Sequence, residues 1–456
     1  PVLANLGQDG STPLTTEADS AYSYFHVERT FSEFMLSAYG RGDGAPTNTE
    51  FQNASSIMHA AKCQDCHMRD VVGAGADKNG TIIRPTDSIE HPKSGQPLHD
   101  MTGGNAWVSW VLASAVSGSP NYDATNDALL NQGAGKLTLD LSQGQGIDPA
   151  ALLAGAERAK QQLQLAATIK NLDYDSSTGS LNFRVQNNTA HKLISGFPEG
   201  RRMFINIKAY TGGDLVYEVN PYDHSIGTLK GLPNSPNSPS LEAHEVHQDY
   251  LVYEMHPSSS LTGEDKTFHF ALADGRYKDN RIPPKGFDIN SAGARLSTPV
   301  WEGAEDPEYF TAEEYAGGYD EVTLTLPSGA ESVEVNLYYQ TTSREYMEFL
   351  RDEINGTAST LPDTAYIIQS DPFFSQLKAW GDTLWQLWTH NMNVDGAKPY
   401  LMAQASVSGA VSYTVSGTVA EGGTGLQNVY MNGLPHDTFT ASRGNYEDYV
   451  VSGWGG

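Results

Sequence analysis

The only two cysteines of this 456-residue chain lie three positions apart, and a histidine follows the second one directly, in the segment Cys63-Gln64-Asp65-Cys66-His67. This C-x-x-C-H spacing is the attachment signature of c-type haem, because two intervening residues let both thiols reach the vinyl groups on one edge of the porphyrin. His67 then lies beneath the iron as its proximal axial ligand. The motif therefore predicts one haem c, bound covalently to Cys63 and Cys66.

Two other uses of paired cysteines fit the sequence less well. A thioredoxin-like redox pair needs a βαβ context and gives the histidine no role. A structural zinc site needs four ligands, and no second cysteine pair is present to complete one. Because covalent haem attachment takes place outside the cytoplasmic membrane, the motif also predicts an exported protein, either periplasmic, on the cell surface or extracellular.

The distal ligand of the iron must come from elsewhere in the chain. His99 is the first choice, because a Gly- and Pro-rich loop long enough to fold over the ring separates it from His67. Gly103 and Gly104 would allow close approach of the backbone to a flat cofactor. The predicted metal ligands are therefore His67 and His99, with His191 as the second choice for the distal position. Weaker candidates are His59 (predicted on a helix that leads into the motif), His26 and Met101, and an open distal site stays possible.

Charge and hydropathy exclude some classes of partner. The chain has 28 Lys and Arg against 55 Asp and Glu, a formal net charge of −27. A field of that sign repels phosphate backbones and argues against nucleic-acid binding. No apolar run reaches the length of a transmembrane helix. We expect Pro1 to be the mature end left after removal of a signal peptide.

The apolar periodicity predicts an α+β protein in several parts. Helical spacing dominates early: Ala106 to Val116 is predicted as a buried helix, and Asp148-Pro149 opens a helix that runs to about Lys170. Short alternating strands separated by turn residues follow and predict an antiparallel β-sandwich. Helical signals return at 342–351 and 373–390. The predicted parts are an extended arm (1–20), a small helical haem domain (21–170), a β-sandwich domain with C-terminal helices (171–400) and the start of an Ig-like β module (411–456), which we expect to continue beyond Gly456.

Two further groups of residues are candidate binding sites. His244 and His247, with His256 nearby, are candidate metal ligands, but positions i and i+3 of a strand point to opposite faces, which favours a structural role. Arg201 and Arg202 are predicted to pair either with haem propionates or with internal carboxylates. Calcium-like strings at 77–80 and 173–175 lack the glutamate of an EF-hand and are predicted to be turns.

Five longer strings of the chain match one known family: His59 to Met68, Leu98 to Asn105, Asn188 to Arg202, Lys278 to Phe287 and Tyr338 to Tyr346. They resemble segments of bacterial multihaem c-type cytochromes of the cytochrome c554 kind. The resemblance implies a haem unit followed by that family's β-domain, with histidines at the positions of His99 and His191 as distal ligands. This chain departs from the pattern because it can attach one haem only. The tail from about Val411 resembles Ig-like or carboxypeptidase-regulatory-like surface modules.

These observations favour a monohaem c-type cytochrome that carries electrons at the cell envelope or extracellularly. A low-spin iron with two histidine ligands leaves no open site for substrate. The partners would be redox proteins such as other cytochromes, or further copies of this chain in a homo-oligomer or filament. Two different functions stay open: a haem enzyme with an open distal site (a peroxidase or small-molecule reductase), and a surface structural protein in which the haem staples the fold.

Overall fold

A computed structural model describes most of the central part of the chain. The described residues are 29–68, 101–133, 148–233, 235–260, 262–269, 273–355 and 380–408, with the backbone of a helix over 372–379 and of short strands at 70–71, 96–97, 137–138, 430–431 and 434–435. The predicted arm at 1–20, the distal candidates His26 and His99, the string at 77–80 and nearly all of the predicted module at 411–456 lie outside the described residues.

Helices occupy both the first part of the chain and the segment before the last long strand. Asp148 caps the longest early helix by accepting a hydrogen bond from the Ala150 amide, as Asp148-Pro149 predicts. The nine helices among the described residues are α1 (Thr30–Leu36), α2 (Thr49–Ser55), α3 (Cys63–His67), α4 (Trp107–Ser114), α5 (Ala124–Leu130), α6 (Pro149–Ala166), α7 (Ala312–Gly317), α8 (Arg344–Asn355) and α9 (Pro372–His390).

Helix α6 is shorter than its sequence predicts. The periodicity places its end near Lys170, but the helix stops at Ala166 and the chain continues directly as a strand. Thr168 and Ile169 are β-branched, and they pair in register with Gln186 and Val185 of the following hairpin strand. Cross-strand pairing therefore overrides the helical periodicity in the last turn.

The strands before residue 166 have two or three residues each, whereas those after it include eight strands of five to ten residues. They are β1 (Ala45–Pro46), β2 (His59–Ala60), β3 (Asp70–Val71), β4 (Gln96–Pro97), β5 (Asn131–Gly133), β6 (Leu137–Thr138), β7 (Ala167–Asp175), β8 (Ser180–Asn187), β9 (Arg202–Thr211), β10 (Asp214–Val219), β11 (Tyr222–Asp223), β12 (Thr228–Leu229), β13 (Glu245–Val246), β14 (Val252–Tyr253), β15 (Met255–Ser258), β16 (Gly275–Asp279), β17 (Val300–Trp301), β18 (Ala304–Glu305), β19 (Tyr319–Thr325), β20 (Ser332–Gln340), β21 (Tyr400–Ser408), β22 (Tyr430–Met431) and β23 (Leu434–Pro435).

Two sheets form the main β structure. One has the order β13-β10-β9-β20-β21, with β14 added to β9, and the other has the order β19-β8-β7. All of their pairings are antiparallel except the parallel contact of β10 with β13. The chain is thus a mixed α+β protein with antiparallel sheets. The alternating apolar pattern of residues 268–270 predicts a strand, but Phe268 and His269 do not form one, because the Thr267 hydroxyl accepts a hydrogen bond from the His269 backbone amide in a local turn.

One apolar core joins the two sheets. Its fully buried members alternate along their strands and come from both sheets, as a sandwich requires. The central residues of this core are Leu181, Phe183, Val185, Ile205, Ile207, Val322, Val333, Val335 and Leu337.

Contacts cross the predicted boundary near residue 170. Trp107 of α4 packs in one apolar cluster with Leu387 and Trp388 of α9. Arg29, just before α1, forms a buried ion pair with Glu199 at 3.0 Å. The early helices and the later strands are therefore packed against each other, and the division into a haem domain and a β-sandwich domain stays a prediction.

Candidate functional site

The cysteine motif folds into the one-turn helix α3. Asp65 closes its first turn, because its Oδ2 atom accepts hydrogen bonds from the backbone amides of Ala61 and Lys62 at 2.8 and 3.0 Å. Cys63 is exposed and Cys66 is half-buried. The turn thus brings both thiols and the His67 ring onto one short, capped element.

Cys66 rests on a small apolar cluster that also reaches the neighbourhood of His191. Helix α1 and the residues after it supply Phe34, Met35 and Ala38, which recur at helical spacing. Ala190, the residue before His191, packs on the same cluster. The cysteine-motif segment and the His191 segment therefore share one apolar support, although they are far apart in sequence.

His59 does not lie on a helix, contrary to the sequence prediction. Helix α2 ends at Ser55 because Ser56 adopts a left-handed conformation with φ 62°. His59 then pairs with Pro46 in the two-residue strand β2, and its side chain is exposed. The approach to the cysteine motif is therefore an extended hairpin.

The imidazole of His67 is held by one backbone carbonyl. Its Nδ1 atom lies 2.6 Å from the carbonyl oxygen of Thr102. Because a carbonyl can only accept, Nδ1 must carry the proton and Nε2 carries the lone pair. This arrangement is typical of histidines that bind a metal through Nε2.

His191 is held in the same way by a different segment. Its Nδ1 atom lies 2.8 Å from the carbonyl oxygen of Lys192. The His191 carbonyl accepts hydrogen bonds from the side-chain amide of Asn187 and from the Thr189 hydroxyl, which fix the backbone around the ring. In the neutral tautomer the lone pair then lies on Nε2, the nitrogen through which a histidine binds a metal when Nδ1 is protonated.

The structure brings the rings of His67 and His191 together. Their centroids are 6.3 Å apart and their planes differ by 17°. A metal ion between two Nε2 atoms requires about this separation: metal–nitrogen bonds of ~2 Å and ~1 Å from each nitrogen to its ring centre place the centroids roughly 6 Å apart. An offset aromatic stack also spans this distance, but it would not require both Nδ1 atoms to donate to carbonyls.

Buried charges anchor the segment that follows His191. Glu33 of α1 accepts hydrogen bonds from the Lys192 amide and the Ser195 hydroxyl at 3.1 and 3.0 Å. The other oxygen of Glu33 lies 2.8 Å from Arg281. No sequence signal assigns Glu33 a role, because nothing in a short amphipathic helix shows that its single acid will be buried.

Asp279 completes this network. It binds Arg281 through two nitrogens and lies 3.0 Å from the Lys192 ammonium, all with side chains at most 1% exposed. Burial alone would raise the pKa of Asp279, but the charges of Arg281 and Lys192 hold it well below its usual range. Burial lowers the pKa of Lys192 to about 8 despite its acidic partners. The network fixes the loop that carries His191.

Three large apolar side chains beside the site face solvent. Phe31 is 68% exposed, Met58 62% and Met101 53%. Phe31 lies on α1, the helix whose Phe34 and Met35 support Cys66. Met58 directly precedes β2, and Met101 directly precedes Thr102, whose carbonyl holds His67. Apolar side chains around two paired imidazoles suit a flat, largely apolar macrocycle, so the residues present fit a haem.

The other candidate residues have structural partners. Arg202 pairs with Glu254 and Glu345, whereas Arg201 points to neutral groups. His256 pairs with Glu254 at 3.0 Å, whereas His244 and His247 lie near other acids, Glu242 and Asp249. Within the described ranges no group of three or more His, Cys, Asp or Glu residues is arranged to hold a metal ion. In the same ranges, no helix has both the length and the hydropathy to cross a membrane.

Comparisons with known proteins add one distant similarity. No protein-family model and no curated protein matches the chain. Among solved structures, the penta-haem cytochrome c552 from Thermochromatium tepidum aligns over 83% of this chain and 96% of that chain, with 10% sequence identity and a TM-score of 0.28. Because a TM-score this low does not establish a shared fold, the function of the chain has to be inferred from its own residues.

Proposed function

We propose that this chain is a c-type cytochrome that binds one haem through Cys63 and Cys66, with His67 and His191 as axial ligands. The observation that supports it most is the pair of near-parallel imidazoles 6.3 Å apart, each with Nδ1 on a carbonyl. Bound haem would supply a one-electron ferric–ferrous couple. The proposal takes His191 as the distal ligand because the separation and near-parallel planes of its ring and the His67 ring suit a shared iron; His99 lies outside the described residues and is tested below.

The described residues would serve this function by holding and orienting the two imidazole ligands. Thr102 and Lys192 fix the two imidazoles through their carbonyl oxygens, so that neither ring needs to reorganise when the iron changes its charge. The apolar cluster under Cys66 excludes water on one side of the motif. With both axial positions filled by histidine, no site is left for a substrate, which favours electron transfer over catalysis.

The exposure of Cys63 supports exchange of electrons at the protein surface. The thioether edge of a porphyrin attached there would lie near solvent, where a second redox centre can approach it. We further propose that the protein is exported and that its redox partner is another cytochrome or a second copy of this chain. Size-exclusion chromatography with light scattering on the haem-loaded chain would show whether copies associate.

Optical and EPR spectra of purified variants test the ligand assignment. The wild-type protein should be low-spin, and His191→Ala should become high-spin or bind imidazole from solution. His99→Ala and the distant control His224→Ala should keep the wild-type spectrum. A high-spin His99→Ala with an unchanged His191→Ala would show that His99 is the ligand. Covalently bound haem stays with the chain when the protein is denatured. If the denatured wild-type protein retains no haem, the proposal as a whole is refuted.

A further inference from the structure

A cleft lined by two arginines opens beside the His67 support. It has a volume of about 340 Å³ and lies between the first turn of α4, the start of α6 and the segment before β9. We call it the arginine cleft; its walls include Thr102, Gly103, Ser109, Leu152, Arg158 and Arg201. Because the carbonyl of Thr102 also holds His67, the cleft borders the candidate ligand site.

Within the described part of the chain, no acidic side chain forms an ion pair with Arg201. Its guanidinium donates to the Ser195 carbonyl and to the Tyr339 hydroxyl, both at 3.2 Å and both neutral. Among the described residues it contacts no carboxylate. Its neighbour Arg202, by contrast, pairs with two glutamates. In a chain with a net charge of −27, a half-buried guanidinium without an acidic partner at a cleft wall is a site for an anion.

The rest of the cleft is suited to the same kind of ligand. Arg158 provides a second guanidinium from α6. The first turns of α4 and α6 both face the cleft, and helix N-termini favour negative charge. At Gly155 on its wall, an added Cβ would meet only the Arg158 guanidinium, at 3.7 Å, and the Ser109 hydroxyl, at 4.0 Å, so the space is open.

We propose that the arginine cleft binds a carboxylate, held by Arg201, with Arg158 as a second guanidinium lining the same cleft. A planar guanidinium matches a carboxylate through two parallel hydrogen bonds. Two sources have this chemistry: a propionate of the haem, in which case the inference rests on the proposed function, and a small free carboxylic acid.

Two measurements on the purified, haem-loaded protein separate these sources. The first is the midpoint potential of wild type, Arg201→Gln and Arg201→Lys. If a propionate lies in the cleft, Arg201→Gln lowers the potential, because a cation near the haem favours the added electron, and Arg201→Lys stays close to wild type. Tyr339→Phe removes one partner of Arg201 but keeps its charge, and Arg184→Gln alters a distant arginine; neither should shift the potential.

The second measurement is thermal unfolding with added acetate or succinate. A free carboxylate site predicts that these anions raise the unfolding temperature of the wild type, with at least tenfold weaker binding in Arg201→Gln and Arg158→Gln. The unfolding measurement is informative even if the chain carries no haem. In that case the proposed function fails, but the carboxylate site is still tested. The inference is wrong if Tyr339→Phe shifts the potential as much as Arg201→Gln does. It is also wrong if Arg201→Gln changes neither the midpoint potential nor the stabilisation by added anions.

Discussion

Asp320 of β19 is a partly buried acid that is hydrogen-bonded to a tyrosine, and its replacement should change how stability depends on pH. The Tyr253 hydroxyl donates to its Oδ2 atom at 2.6 Å, and no described cation pairs with it. Burial raises the pKa of Asp320 from 3.8 to about 7, helped by the charges of Glu314 and Glu321 and opposed by the hydrogen bond from Tyr253. The carboxyl is therefore protonated in the folded protein under mildly acidic conditions.

The direction of the effect follows from proton counts. Between about pH 4 and pH 7 the unfolded chain has lost the proton of Asp320 while the folded chain keeps it, so the free energy of unfolding falls as pH rises. Each pH unit is worth ~1.4 kcal/mol, which gives a loss of roughly 4 kcal/mol across this window and no further loss above it. Asp320→Asn removes the titrating group but keeps an acceptor for Tyr253.

Urea unfolding followed by circular dichroism at several pH values would measure this. The difference in the free energy of unfolding between Asp320→Asn and wild type should rise by roughly 4 kcal/mol from pH 4 to pH 8, in favour of the variant. Other carboxylates cancel in the difference, and Glu308→Gln, an exposed acid that is not among the groups shifting the pKa of Asp320, serves as the control. A difference that does not vary with pH would refute the reasoning.

Three further substitutions, two of them with a matched control variant, test other parts of the structure by thermal unfolding. Asp148→Ala removes the cap on the Ala150 amide and should cost ~1 kcal/mol, with no loss for Asp148→Asn. Gly155→Ala should stabilise α6 by up to ~1 kcal/mol, because an added Cβ makes only ordinary contacts with Arg158 and Ser109. Destabilisation would show that the added methyl group does not fit at this position. Glu33→Gln should destabilise the protein by ~3–5 kcal/mol and raise its high-spin fraction. Glu199→Gln, which breaks the pair with Arg29, should destabilise without the spectral change.

Local features of the fold could be predicted from the sequence. The start of α6 follows from Asp148-Pro149, whose cap is a contact between near neighbours. The alternation of Leu181, Phe183 and Val185 predicts a strand because it needs only one buried face. Predictions fail where a distant contact decides the outcome, as in the last turn of α6, where pairing with β8 replaces helical hydrogen bonds.

The candidate site divides in the same way. Cys63, Cys66 and His67 form a contiguous motif, so their chemistry can be read from spacing alone. The helix predicted at His59 is wrong because the left-handed turn at Ser56 gives no signal in apolar periodicity. Residue spacing alone does not show that His191 lies opposite His67; only the resemblance of the string from Asn188 to Arg202 points to it. The residues that place it, Glu33 and Asp279, come from segments far along the chain in either direction.

The placement of His191 implies that ligation and folding are linked in this chain. The loop from Lys192 to Ser195 is held by Glu33 of α1, and Glu33 in turn is held by Arg281 beyond β16. An iron bound by His67 and His191 would therefore join the cysteine motif to a charge network that exists only when helix and sheets have packed. Such a bond stabilises the folded state by mass action and adds nothing to the unfolded chain. Loss of the distal bond should accordingly lower stability as well as change the spin state, whereas loss of a solvent-exposed surface histidine would do neither.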